Sequence, residues 1–300
     1  MIQETINSLL KPIEVSDLVV NGAKSVFLGT QGKWLQVESP FESEDQLREY
    51  AVALANQGRK RLDYASPFAD LAIDGLRYHV ALPAGSVTET FISIRKHQAA
   101  QADLSTLIDN ADRWLAPLYR IIQERKNFII CGGTGSGKTT LLRAMLELDK
   151  TSRVITCEDV SELNLSTPNV VPFQTRQANT DGAGSIDLQR LVIESLRMKP
   201  DRLVIGEVRG SELVPMLQAL NSGHQGSATT IHANRADDVP ARLIGIGLVG
   251  GLSPETTSHL AASAFEAVIC LGPRVRGLNI STITQFALNP ESRLVTRHEF

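Results

Sequence analysis

Residues 127–146 read NFIICGGTGSGKTTLLRAML, and they decide the fold. Phe128 to Cys131 are apolar, glycine fills four of the next six positions, and the text from Lys138 onward has helical character. Four residues separate Gly132 from Gly137-Lys138-Thr139, the spacing of a phosphate loop set between one strand and one helix. Glycines let successive backbone N–H groups turn inward on an anion, and the start of the following helix adds the positive end of its dipole. The stretch therefore predicts a nucleotide-binding loop made of Gly132, Gly133, Thr134, Gly135, Ser136, Gly137, Lys138, Thr139 and Thr140. Lys138 is expected on the β- and γ-phosphates and the Thr139 hydroxyl on Mg2+. A glycine-rich turn arising by chance would not bring strand, loop, lysine, hydroxyl and helix together.

Outward from this loop the chain alternates strands with helices. NFIIC, RVITCE, RLVIGE and SATTIH are short, apolar and separated by helix-length segments, the pattern of a buried, mainly parallel sheet in an α/β domain. RLVIGEVRG is read as an apolar strand ending at Glu207; Gly206 stands where an aspartate often precedes such a glutamate. One acid must then come from elsewhere, and RVITCEDVSEL offers Glu158 and Asp159. At the carboxyl ends of neighbouring parallel strands these carboxylates would converge beside the phosphate loop. The plainer alternative for Glu158 and Asp159 is helix capping or a solvated turn. Residues 221–234, NSGHQGSATTIHAN, bracket a strand with His224 and His232. Gly223 and Gly226 suit a turn. A zinc site is disfavoured, because Cys131, Cys157 and Cys270 are scattered without a Cys-x-x-Cys pair.

The first hundred residues have a different pattern. Asn21-Gly22 and Asp74-Gly75 each separate apolar runs and predict paired strands. Between them lies a helix with capping-box spacing at Ser43 and Gln46, ended by Gly58. Leu76, Tyr78, Val80 and Leu82 alternate onto one strand face, leaving Arg77 and His79 on the other. A strand through Arg95 closes the block. The expected organisation is an α+β domain over 1–97, a linker over 98–110 and the larger α/β domain over 111–300, with a mobile loop at 177–185.

Bulk properties narrow the function. The 300 residues are 42% hydrophobic, enough for a sizeable core. With 30 basic and 33 acidic side chains, the net charge of −3 gives no overall reason to expect direct nucleic-acid binding, and the 5% aromatic content leaves little for base stacking. No Asn-Lys-x-Asp guanine-reading motif is present. The N-terminus lacks the apolar core of a signal peptide, and no apolar run reaches membrane-spanning length. Unpatterned cysteines point to a reducing compartment. The expectation is a cytoplasmic protein, peripheral at the inner face of the membrane through its partners.

Four blocks in order, GGTGSGKT, TCEDVSEL, RMKPDRLVIGEVRG and GHQGSATTIHAN, together with VVNG, GLRYHVALP and SIRK nearer the N-terminus, make nearly the whole chain resemble the secretion traffic ATPases of type II and type IV secretion systems and type IV pili. The wording MKPDRLVIGEVRGSE and LNSGHQGS looks most like the CpaF-like branch of Tad/Flp pilus assembly, with conjugation ATPases close behind. The resemblance implies a RecA-like P-loop motor domain preceded by a PAS-like N-terminal domain, with ATP and Mg2+ as ligands. It also implies a ring hexamer working on an inner-membrane platform protein. His232 becomes a residue near the γ-phosphate, Arg77 and Arg95 become arginines supplied from the N-terminal domain, and His224 shapes its turn. Glu158 and Glu207 share the base and metal-side roles, with Glu207 or Asp159 reaching Mg2+ through water. Arg176, Arg197 and Arg209 lie in matching blocks without a distinct role. Such chains often carry an N-terminal extension that this one lacks.

Overall fold

The structure, a computed structural model, describes residues 2–12, 15–30, 33–58, 60–84, 88–96, 103–176 and 184–297. Most of the predicted loop at 177–185 and residues 98–102 of the predicted linker lie outside them. The chain divides into two compact units, Met1–Ala100 and Gln101–Phe300.

The first unit holds α1 (Ile2–Leu10), β1 (Val15–Asn21), β2 (Val26–Thr30), β3 (Lys33–Val37), α2 (Glu44–Gln57), β4 (Phe68–Ile73), β5 (Leu76–Ala81) and β6 (Phe91–Lys96). Its strands form one antiparallel sheet in the order β3-β2-β1-β6-β5-β4. Local chemistry sets the joints. Asp74 and Gly75, at φ 50° and 75°, make the two-residue turn between β4 and β5, which needs positive φ at both positions. Ser43 caps α2 by accepting from the Gln46 amide, while the Gln46 side chain takes the Glu42 amide at 2.8 Å. Leu18, Val20, Tyr78, Val80, Ile92 and Ile94 are buried with Ile6, Leu47 and Ala51 of the helices. Alternation puts Asp17, Arg95, Arg77 and Asp70 on the opposite face.

The second unit runs α3 (Leu104–Leu107), α4 (Ala111–Gln123), β7 (Phe128–Gly132), α5 (Lys138–Leu146), β8 (Val154–Glu158), β9 (Val170–Gln174), α6 (Leu188–Leu196), β10 (Arg202–Ile205), α7 (Leu213–Asn221), β11 (Ala228–His232), α8 (Val239–Val249), α9 (Pro254–Ala264), β12 (Ala267–Leu271), β13 (Ile280–Leu288) and β14 (Leu294–Arg297). The sheet order is β14-β13-β12-β7-β11-β10-β8-β9. β12 through β9 are mutually parallel, and only the β13–β14 end is antiparallel. Every residue of β7, β8, β10 and β12 is buried, because helices cover both faces of a parallel sheet. The two resulting core layers are separate clusters, one around Leu213, Met216 and Leu243, the other around Leu118, Leu141 and Met145. Leu104 and Ile108, in the stretch expected as linker, are buried in the latter.

The turn at 149–152, without catalytic content in the sequence, has a structural task. Asp149 accepts from the amides of Thr151 and Ser152 and pairs with Arg202 at 2.8 Å. Arg202 is 1% exposed and also donates to the carbonyls of Gly226 and Ile122. Burial works against the Asp149 charge, but hydrogen bonds from Ser152, Thr151 and Arg202 outweigh it and hold the carboxyl well below its ordinary range. Removing one partner of a buried ion pair costs about 3–5 kcal/mol. Asp149→Ala is therefore expected to lower the unfolding free energy measured by urea titration at pH 7 by that amount. The difference should shrink as pH falls into the acid range, where the native carboxylate becomes protonated and the unaltered chain loses the pair as well.

Candidate nucleotide site

The glycines of the loop after β7 each have a local reason to be there. Gly135 and Gly137 lie at φ 75° and 97°, where only glycine is comfortable. A Cβ on Gly135 would meet nothing within 4 Å, and one on Gly133 only Asn234 Oδ1 at 3.7 Å, so this side of the loop is open space. Gly132 has the reverse reason to be glycine: a Cβ there would press on Ser136 Oγ and the Leu271 carbonyl. Gly137 begins α5 without a side-chain cap, which leaves the first amides of the helix to a ligand. Lys138 is 9% exposed and donates to the carbonyls of Gly132 and Gly133, both at 3.0 Å. Burial pushes its pKa down, opposed by the charges of Glu207, Cys131 and Glu162. Ser136 braces the loop internally through the Gly133 carbonyl at 2.9 Å.

Strand order brings the expected partners in from one side. β11 lies next to β7 with His232 opposite Gly132, and His232 Nε2 is 3.0 Å from Thr134 Oγ1. The histidine therefore touches the phosphate loop itself. His224 instead meets the Ala219 carbonyl at 3.1 Å, at the end of α7.

The acids divide differently from their order in the sequence. Glu207 follows β10 rather than ending it, since the strand stops at Ile205, and its charge reaches Lys138. Glu158 ends β8, is 4% exposed, and accepts from the amides of Glu162 and Leu163 at 3.0 Å each. Burial lifts its pKa to about 7 against the pull of those two amides. Glu158 thereby fixes the turn that carries Glu162, whose carboxylate lies 3.4 Å from Thr139 Oγ1. Reading the block for the acids nearest its strand passes over Glu162, which is brought in only by the turn bonding back to Glu158. Asp159 pairs with Arg209, whose charge Glu207 also favours, and Thr175 Oγ1 donates to it. Among the described contacts it does not approach Thr139. Gly206 is explained by Glu158: a Cβ at 206 would sit 3.1 Å from Glu158 Cγ.

The remaining arginines have protein partners. Arg197 pairs with Glu194, and Arg176 donates to the Gly184 carbonyl at 2.7 Å. In the first unit, Arg77 and Arg95 are cross-strand neighbours. Asp17 lies 3.1 Å from Arg95, and Asp70 lies 3.9 Å from Arg77. Among the described residues no group of three or more His, Cys or carboxylate side chains forms a metal cage. Mg2+ in such sites takes one or two protein groups plus substrate phosphates, and Thr139 with the acids around it suits that arrangement.

Residues 3–272 match the Type II/IV secretion system protein family. The chain belongs to this family. A relative from Mycobacterium tuberculosis is 37% identical over 274 residues, 87% of this chain and 77% of that protein. The conjugal transfer protein TrbB of Rhizobium radiobacter is 32% identical over 267 residues, 87% and 79% of the two chains. Among solved structures, the pilus retraction motor PilT with bound ADP superposes with a TM-score of 0.68 at 18% identity, covering 99% of this chain and 82% of that one. That likeness establishes the fold, a largely parallel α/β unit preceded by a smaller antiparallel one. The family match ends at 272, just after β12.

Proposed function

We propose that this secretion-family protein is an ATPase that drives a membrane-embedded secretion or pilus machine. The observation that carries the reading is the conjunction at one sheet edge of an open phosphate loop, Lys138 in its floor, His232 on its wall, and Glu207 and Glu162 within electrostatic reach of the lysine. Lys138 and the α5 amides hold the phosphates. Thr139 with Glu207 or Glu162 holds Mg2+, which supplies charge neutralisation on the phosphoryl oxygens. Glu158, with Glu207, orients or deprotonates the attacking water, and His232 responds to the γ-phosphate through Thr134. Phosphate release from ATP by the purified full chain tests this; a protein that binds ATP without turnover would instead be a nucleotide-switched assembly module.

For the machine, the sequence wording supports assembly of a Tad/Flp-like pilus, by a hexameric ring acting at the inner face of the membrane on a platform protein. No helix among the described residues is long and apolar enough to cross a membrane. A conjugation motor is the second reading, favoured by the likeness to TrbB. Deleting the gene separates the two: loss of surface filaments with conjugation intact supports the pilus, and the reverse supports conjugation.

Arg77 and Arg95 are proposed to act on the triphosphate from the N-terminal unit. An arginine–phosphate contact is a charge-assisted hydrogen bond of about 1.5–3 kcal/mol, so Arg95→Ala in the full chain is expected to lower turnover about tenfold or more, with partial recovery in Arg95→Lys. Unchanged turnover would leave Arg95 as the surface partner of Asp17.

A further inference from the structure

The segment after β12 carries no motif, yet it forms the wall of the phosphate loop opposite His232. β12 and β11 flank β7 on its two sides, and residues 273–278 run from the end of β12 across residues 136–137. Arg274 Nε lies 3.5 Å from the Ser136 carbonyl. The place where a Cβ on Gly137 would stand is filled by Leu278 Cδ2, with Arg274 Nη2 2.6 Å from it. Gly137 is thus glycine for a second reason, close approach of this wall. Leu278 is 2% exposed, so it is wedged between the phosphate loop and the core.

The other side of the same wall is fastened to the beginning of the unit. The Leu278 amide donates to the Leu107 carbonyl at 2.7 Å, and the Asp109 amide donates to the Leu278 carbonyl at 2.9 Å. Ile108 and Leu278 form a parallel bridge, and the Gly277 amide donates to Asp109 Oδ1 at 3.0 Å. The approach is tight: a Cβ on Gly277 would come within 2.6 Å of the Leu107 carbonyl oxygen. One short wall therefore touches the phosphate loop with the side chains of Arg274 and Leu278, and residues 107–109 with its backbone.

We propose that the 273–278 wall transmits occupancy of the phosphate loop to residues 107–109, with Arg274 as the positioning residue that keeps wall and loop in contact. The proposal rests on the nucleotide-binding reading. A ligand that fixes residues 134–138 restrains the groups packed on them, and that restraint passes along backbone hydrogen bonds into the 107–109 clasp. Arg274 suits the post because, although the residue is exposed overall, packing against the loop strips water from its guanidinium and makes the charge less favourable, and an anion brought into the loop offsets that cost. Linkage is reciprocal: the factor by which nucleotide tightens the clasp equals the factor by which the clasp tightens nucleotide binding.

Amide hydrogen exchange of the full chain, with and without saturating MgADP, reads the coupling directly. In the unaltered chain ADP is expected to slow exchange of the Asp109 and Leu278 amides about fivefold or more, the lower end of measured couplings. Gly277→Ala wedges the clasp open and Arg274→Ala detaches the wall from the loop. Each is expected to abolish the slowing and raise the Kd for ADP by a matching factor, and Arg274→Lys should restore part of both. Arg274 is on the surface, so its variant stays informative if Gly277→Ala folds poorly. ADP binding without slower exchange at 109 and 278, or an Arg274→Ala protein with unchanged Kd and unchanged slowing, overturns the transmission. Failure of ADP to bind the unaltered chain overturns the nucleotide reading itself.

Discussion

Lys138→Ala should abolish phosphate release and loosen ATP binding together. The ammonium group is nearly buried, held by two carbonyls of its own loop, and flanked by the charges of Glu207 and Glu162. It is a positive charge built into the floor of the loop. Truncating one partner of a buried, hydrogen-bonded charge pair costs about 2–5 kcal/mol, roughly 30- to several-thousand-fold in Kd. Glu207→Gln should fail differently, because it keeps the lysine and the loop: ATP binds and turnover stalls. Titrating a fluorescent ATP analogue alongside phosphate release separates the two outcomes. Normal turnover in the lysine variant would remove the site from 132–140, and weak ATP binding in Glu207→Gln would move that glutamate from chemistry to binding.

The second large effect belongs to Glu158. Glutamine keeps the oxygen that accepts from the Glu162 and Leu163 amides, so Glu158→Gln retains the acidic turn and removes only the charge and the basicity. Loss of a general base typically lowers the rate by roughly 10²- to 10⁴-fold. The rate of the unaltered enzyme should also rise with pH through about 7, where burial has placed this carboxyl, and that limb should vanish in the variant. The stability change runs the other way. A carboxyl whose pKa is lifted from 4.5 to about 7 binds more protons in the native state across that interval, so its contribution to stability is full below 4.5 and lost as pH rises through about 7. At pH 8 the glutamine variant should therefore melt no lower than the parent, and its slow turnover cannot be blamed on unfolding. A rate loss under about threefold would assign Glu158 to holding the turn and pass the base role to Glu207 or Glu162.

How far the sequence could be read depended on whether a residue's neighbours lie near it in the chain. The phosphate loop was legible because its spacing and glycines are local, and so were the Asp74-Gly75 turn, the Ser43 cap and the four central strands. His232 owes its expected place to the family resemblance, since on its own residues the segment reads as a turn and a buried strand. Glu162 escaped because its turn is shaped by two amides bonding back to Glu158, an arrangement that no periodicity signals. Arg202 and Asp149 look like ordinary charged residues, separated by 53 positions; only the fold brings them into a buried pair. The wall at 273–278 escaped for the same reason, since its partners are at 107–109 and 136–137. Asp159 illustrates the reverse hazard: adjacency to Glu158 suggested a shared role, while successive residues at a strand end point in different directions.

Glu158 and Gly206 compete for one small volume, and that competition constrains how the site can drift. An aspartate at 206 would crowd the glutamate and set a second negative charge against it. A shorter residue at 158 would release the turn carrying Glu162 without putting any acid back. Each single step is unfavourable for a different reason, and together they relieve each other. The two positions should therefore behave as an epistatic pair across the lineage, exchanging an acid at the end of one strand for an acid beside the next. Chains that have made the exchange should show both changes rather than either intermediate.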